Sequence, residues 1–189
     1  MSWIVIAILA AACVIMMLIE RKGVRTTLSL GFKGDVKRES RWLAQYGQGA
    51  CTVVVAVLLW QLDRHRHHGS AVALLGATFG ASIVCTLVKR AVGRVRPNRE
   101  NAGKFLGPTL KHANFRESFP SSHSASAVAM TVILAQLFPD AASTFWVLGI
   151  ACSVLRYVMD AHWPSDVLGG IALGGACANV VCVAFGYGR

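Results

Sequence analysis

Carboxylates are scarce in this chain: its 189 residues hold nine Asp and Glu against nineteen Lys and Arg. They form no cluster of the kind that holds Mg²⁺, which argues against a hydrolase built around divalent ions and for chemistry without metal or cofactor. The six cysteines, Cys13, Cys51, Cys85, Cys152, Cys177 and Cys182, show no metal-type spacing and all lie in apolar stretches. They read as small buried apolar residues and say nothing of redox compartment. Charge as a whole is thin, at 15% against 54% hydrophobic residues, which is too apolar for an ordinary soluble fold. The length predicts one domain, residues 1–189. A formal net charge of +10 would suit nucleic acid, but the basic residues sit between apolar runs instead of along one amphipathic face. That placement suits anionic lipid headgroups or a phosphate substrate, with the bilayer as solvent and no nucleic acid.

What the chain has instead is long uncharged runs. The first, residues 3–19, is followed at once by Glu20, Arg21 and Lys22. A signal peptide would carry its positive charge before the run, so a retained membrane helix is expected. Ala10-Ala11-Ala12-Cys13 faintly resembles a lipoprotein cleavage site but lacks the basic region that should precede one. Residues 21–46 form a polar, basic connection with room for a short surface helix, Trp42 and Tyr46 marking the membrane interface. Further runs cover residues 47–62, 70–88, 119–138, 144–159 and 167–187, several rich in the Gly and Ala that let membrane helices pack closely. The expected fold class is therefore all-α, a polytopic bundle of six transmembrane helices. Between the second and third runs, residues 63–69 hold His65, His67 and His68, which read as solvated charge because no Cys or carboxylate supports them as metal ligands.

Residues 155–166, Leu-Arg-Tyr-Val-Met-Asp-Ala-His-Trp-Pro-Ser-Asp, place Arg156, His162 and Asp166 on the border between two apolar runs. Ionisable groups at that depth are functional candidates by default. Pro164 suits the first position of a helix, Trp163 its cap, and Asp166 its first turn, with His162 just outside the start and within reach of Asp166. A bland alternative is an interfacial loop with a capping Asp and a solvated His. Six spans put the first, third and fifth connections on one side of the bilayer, so Lys89 to His123 share a face with Arg156 to Asp166. Two helix starts, Phe119-Pro120-Ser121-Ser122 and Trp163-Pro164-Ser165-Asp166, point there, and helix starts attract anions.

Lys89 followed after six residues by Arg96-Pro97, then Pro120-Ser121-Ser122-His123, then Arg156, His162 and Asp166 at spacings of six and four, resemble the motifs of the type 2 phosphatidic acid phosphatase (PAP2) superfamily. The resemblance covers about residues 70–187 and implies a six-helix membrane bundle. It would make His162 the nucleophile that takes the phosphoryl group, Asp166 its polarising partner, and His123 the acid that protonates the leaving oxygen. Lys89, Arg96 and Arg156 would hold the phosphate oxygens, with Ser121 and the backbone at Ser122 completing the cradle. Phosphoryl transfer needs positioning and charge stabilisation above all, and three cations supply both without a metal. Two positions depart from the family pattern. Ser122 stands where Gly is common, which could crowd the phosphate or disfavour a positive φ, and Leu155 stands where Ser is common. Arg90, Arg94 and Arg99 match no motif position and read as headgroup or surface charges.

The leading expectation is an integral membrane phosphatase acting on a lipid phosphate or diphosphate. A lipid-to-lipid phosphotransferase with the same phosphohistidine is the second reading, and a non-catalytic anionic-lipid binder or transporter the third; both histidines argue against the last. The particular lipid and the oligomeric state are not encoded legibly. On sidedness two arguments conflict. The basic residues 20–41 and the segment after Lys89 would put the site in the cytoplasm by the positive-inside rule. The resemblance implies a bacterial plasma membrane with the site on its periplasmic, or exoplasmic, face, and this is the orientation expected here.

Overall fold

Backbone that crosses hydrocarbon must close its hydrogen bonds internally, and in this chain the uncharged runs do so as helices. The structure, a computed structural model that describes residues 1–24, 26–28, 30–62 and 69–187, contains α1 (Trp3–Arg21), α2 (Gly34–Ala44), α3 (Gly49–Leu62), α4 (Gly69–Val92), α5 (Ser122–Leu137), α6 (Ala142–Val158) and α7 (Pro164–Ala184). No strand occurs among the described residues. The turn carrying His65, His67 and His68 lies outside them. Large apolar side chains such as Ile8, Ile83, Leu87, Val147 and Val183 face outward along the helices, the pattern of a surface solvated by lipid. The protein is an integral membrane protein.

Among the described residues, four helices are long and apolar enough to span a bilayer: α1, α4, α7, and α6 with its leading turn, Pro139–Val158. The end of α2 and α3 would make a fifth, bent by 56° at the break between them. The sixth run expected from the sequence forms α5, which at 16 residues and about 1.5 Å per residue covers roughly 24 Å, short of the ~30 Å hydrocarbon core. It needs no lipid contact to be stable. From Ser124 to Leu134 α5 is buried, packed against α4, α6 and α7. Its approach to α7 depends on glycine: a Cβ on Gly174 would overlap the Ala125 carbonyl, and one on Gly170 would come to 2.5 Å from the Ser121 carbonyl.

The expected surface helix is α2. Trp42 on it is exposed, whereas Tyr46, just past its end, is half-buried and turns inward. Its hydroxyl lies 3.1 Å from Thr131 Oγ1 in the middle of α5, so a polar group buried by one helix is satisfied by the other. Beyond it, an apolar groove of about 640 Å³ opens between α3, α5 and α6, lined by residues including Val55, Leu59, Leu134 and Phe145. It lies along the body of the bundle, away from the cationic end where α4 ends and α5 and α7 begin. Residues 93–121 fold back over that end. The Ser118 amide bonds the Arg94 carbonyl and the Arg96 amide the Phe115 carbonyl, and Arg94 and Phe105 form an isolated antiparallel bridge.

Candidate active site

Pro164 fixes the first turn of α7, and Trp163 is its N-cap in an extended conformation. Asp166 reaches back so that its Oδ2 accepts the Trp163 amide at 3.0 Å, half of a capping box. Upstream, α6 ends in a turn with Asp160 at φ 51°, and the Ala161 and His162 amides both bond the Arg156 carbonyl, at 3.1 and 3.2 Å. The spacing of Arg156 and His162 is thus that of a chain folding back on a helix end. It places the His162 side chain under residues 93–121, only 2% exposed. The sequence placed it at an open helix start; burial beneath this segment makes it part of the packed interior.

His162 Nδ1 lies 2.9 Å from the Ser118 carbonyl oxygen. A carbonyl only accepts, so Nδ1 carries the hydrogen and Nε2 keeps its lone pair. Asp166 Oδ2 is farther from the same nitrogen, at 3.6 Å. Burial drives His162 down to about 4, against the upward pull of the Asp166 carboxylate, so the ring is neutral near pH 7.

Around the two histidines, His123 and His162, three cations converge from different elements. The Lys89 ammonium, on the last turn of α4, donates to the Glu117 carbonyl at 2.7 Å. Arg96 donates to the carbonyls of Asn114 at 2.8 Å and Ala161 at 3.1 Å. Arg156 leaves its buried Nε without a partner among the described residues. Lys89, Arg96 and Arg156 all act electrostatically on His123, in the first turn of α5, and His123 interacts with His162. The predicted residues Lys89, Arg96, His123, Arg156, His162 and Asp166 are therefore brought together.

Ser121 and Ser122 sit at the same helix start with different surroundings. Ser121 is the N-cap of α5, fully buried, its hydroxyl accepting from the Ser124 amide at 3.4 Å and the Ser124 hydroxyl at 3.0 Å. Its own amide donates to the Asp166 carbonyl at 2.9 Å, joining the starts of α5 and α7. Ser122 is the first helical residue and is absent from the positive-φ positions, so the backbone makes no demand for glycine there.

Arg94 corrects the sequence reading. Instead of a surface charge it is 1% exposed and lies beside the 162–166 turn. Its guanidinium donates to Asp166 Oδ1 at 2.6 Å, Ser165 Oγ at 2.6 Å and Glu20 Oε2 at 2.7 Å, between the rings of Phe105 and Trp163. Arg94 and Arg96 flank Val95 in an extended segment, where residues two apart share a face, so both reach the 161–166 turn. Val95 itself accepts the Trp163 indole hydrogen at 3.0 Å. Arg90 and Arg99 are exposed, as expected. Sequence reasoning also passed over Ser118, whose hydroxyl donates to Asp166 Oδ2, and Glu20. The one signal for Glu20 was a rare carboxylate directly after an apolar run.

The model of the PAP2 superfamily matches residues 70–189, which contain every motif residue above. A lipid A 1-phosphatase of Rhizobium etli is 32% identical over 157 residues, covering 74% of this chain and 67% of the relative. A decaprenylphosphoryl-5-phosphoribose phosphatase of Mycolicibacterium smegmatis is 29% identical over 142 residues, 75% of each chain. In three dimensions the chain resembles a transmembrane PAP2-type phosphatidylglycerolphosphate phosphatase of Bacillus subtilis, with a TM-score of 0.65 over 95% of this chain and 91% of the other, at 20% identity. That likeness establishes a shared fold.

Proposed function

The chain belongs to the PAP2 superfamily, and from that premise we propose that it removes phosphate from a membrane lipid phosphate or diphosphate through a phosphohistidine, without a metal. The observation that carries this reading is the state of His162: Nδ1 is committed to the Ser118 carbonyl, which leaves the lone pair on Nε2, in a ring that shares its surroundings with three cations and a second imidazole. In the first step Nε2 bonds to phosphorus while the bond to the lipid oxygen breaks, and His123 gives that oxygen its proton. The dianionic phosphate favours the protonated form of His123 among the cations. Water then attacks phosphorus, the N–P bond breaks, and His123 takes the water's proton.

Lys89, Arg96 and Arg156 hold the equatorial oxygens, the unpartnered Arg156 Nε being a donor suited to one of them. The first-turn amides of α5 add the positive end of a helix, and Ser121 caps that turn in place. Asp166 fixes the 162–163 turn and supplies negative charge as His162 becomes cationic. The relatives are named as phosphatases of lipid A, of decaprenylphosphoryl-5-phosphoribose and of phosphatidylglycerolphosphate, and the cradle described here is built to recognise what those names share, a phosphate group. The site is read as opening to the exoplasmic face. Phosphate release from dioctanoyl phosphatidate in detergent, retained in EDTA and inhibited by vanadate, is the expected result. Release only after adding a lipid acceptor would replace hydrolysis with phosphotransfer, and a requirement for Mg²⁺ would remove the metal-free mechanism.

A further inference from the structure

Glu20 lies at the end of α1, outside the matched residues 70–189, yet it is bound into the back of the site. Its Oε2 accepts from Arg94 at 2.7 Å and from the Ser165 hydroxyl, and its Oε1 accepts the Ser165 amide at 3.1 Å. Each of these three bonds is donated to it, as a carboxylate requires. Its side chain is 2% exposed, Arg94 is 1% and Asp166 is 0%.

The charges of this trio explain why a second carboxylate matters. Arg94 paired with Asp166 alone would form a neutral couple, and the field of Asp166 at His162 would be largely cancelled. With Glu20 also on Arg94, two negative groups share one positive group, and a net negative charge remains behind an imidazole that turns cationic on accepting phosphorus. In a buried setting that charge is little screened.

We propose that Glu20 is a positioning residue for phosphoryl transfer: by sharing the Arg94 guanidinium with Asp166, it keeps Asp166 free to stabilise the cationic form of His162. The first helix thereby takes part in the chemistry of a site built by α4 to α7. This rests on the phosphohistidine reading. The other titratable or charged groups around the trio and His162 are Cys13 and Arg21 on α1, Lys89 on α4, Arg96, Lys104 and Glu117 in the segment before α5, His123 on α5 and Arg156 on α6. All are left unchanged in the test.

The test is Glu20→Gln, which keeps the shape and removes the charge, assayed on dioctanoyl phosphatidate in detergent beside wild type and His162→Ala. The expected result is kcat lowered roughly 10-fold or more with KM changed less than about 2-fold, the scale on which outer partners of active groups act. The acid limb of kcat/KM should move to lower pH, because loss of a negative charge favours neutral His162. Glu20→Asp should restore part of kcat. A folded Glu20→Gln with wild-type kcat and pH profile overturns the proposal, as does one that loses only thermal stability. If Glu20→Gln does not fold, Glu20→Met is read in the same way, since Met fills a similar volume without a charge and adapts to an irregular site. Failure of both to fold would make Glu20 a structural staple and also overturn the proposal. Turnover in His162→Ala would instead defeat the phosphohistidine reading itself. A dead His162→Ala beside a wild-type-like Glu20→Gln defeats only the role of Glu20.

Discussion

Burial sets the protonation state of His162 before any substrate arrives. With the free ring held at about 4 instead of 6.5, neutral Nε2 persists well below neutrality. The acid limb of kcat/KM assigned to the free enzyme should accordingly lie below pH 6.5, a direction readable from a pH–rate profile. A limb at 6.5 or above would mean that this ring is not the nucleophile or is not held neutral by burial. Because His162 is packed, its Ala variant leaves a cavity as well as removing the nucleophile. His162→Asn is the better control: it should stay folded, give no turnover and form no acid-labile, base-stable phosphoprotein. Arg94 gives a different prediction, since its removal would leave Glu20 and Asp166 buried side by side. Arg94→Gln should cost about 3–5 kcal/mol of stability, measured by thermal unfolding in detergent, whereas Arg90→Gln on the exposed surface should cost almost nothing. The difference between these two arginines was not legible in the sequence. Lys89, Arg96, His123, Arg156 and His162 stand out because each is charged or titratable at a motif spacing beside an apolar run. Arg94 owes its burial to a partner 74 positions away on α1, a pairing that only the packing of α1 against α7 creates.

Helix contact in this bundle is set by what is missing from Cβ positions. Gly174 on α7 and Gly76 on α4 are both helical, so intrinsic propensity would favour Ala at each by up to ~1 kcal/mol. Their surroundings differ: a Cβ at Gly174 meets the backbone of Ala125, which cannot move alone, and one at Gly76 meets nothing within 4 Å. Gly174→Ala should therefore destabilise by about 1–3 kcal/mol, and Gly76→Ala should be neutral or slightly stabilising, both read from unfolding in the same detergent. Displacing α5 also moves His123, so turnover should fall with Gly174→Ala. Equal stability of the two variants would show that close α5–α7 contact is not what holds the helices. Composition alone revealed that small residues line these helices, and the helix runs were readable to within a few residues. Which glycine faces which backbone was not, because it depends on rotation of one helix about its axis against another. Nor was the short α5: its apolar run is as long as the others, but Pro120 and the Ser121 cap start the helix late and Pro139 ends it early. The fold of residues 93–121 leaves no mark in the sequence, because its order comes from isolated backbone bonds with no periodic pattern.

For the molecule as a whole, charge bias and fold argue for opposite orientations in the bilayer, and burial removes several charges from the first argument. Lys89, Arg94 and His162 are buried, and Arg96 and Arg156 are committed to the same cationic end. The segment after Lys89 thus owes several of its charges to chemistry and packing, and these should not be counted as topology signals. Arg116 is likewise bonded to the Gly107 carbonyl. What remains on the side of a cytoplasmic site is chiefly the basic stretch after α1, and one stretch is weak support. We therefore expect the cationic end to face the exoplasm. Single-cysteine labelling in intact cells with a membrane-impermeant thiol reagent tests this. Gly107 is a poor probe position, because its φ of +76° would strain a cysteine, whereas Leu110 on the same segment is 91% exposed. Asp140 is exposed just past the far end of α5, roughly 24 Å along its axis. Leu110→Cys should be labelled from outside, and Asp140→Cys only after the membrane is permeabilised. The parent chain, with its six native cysteines, supplies the background. The reverse pattern would place the site in the cytoplasm, and the substrate would then have to be a lipid phosphate presented in the inner leaflet.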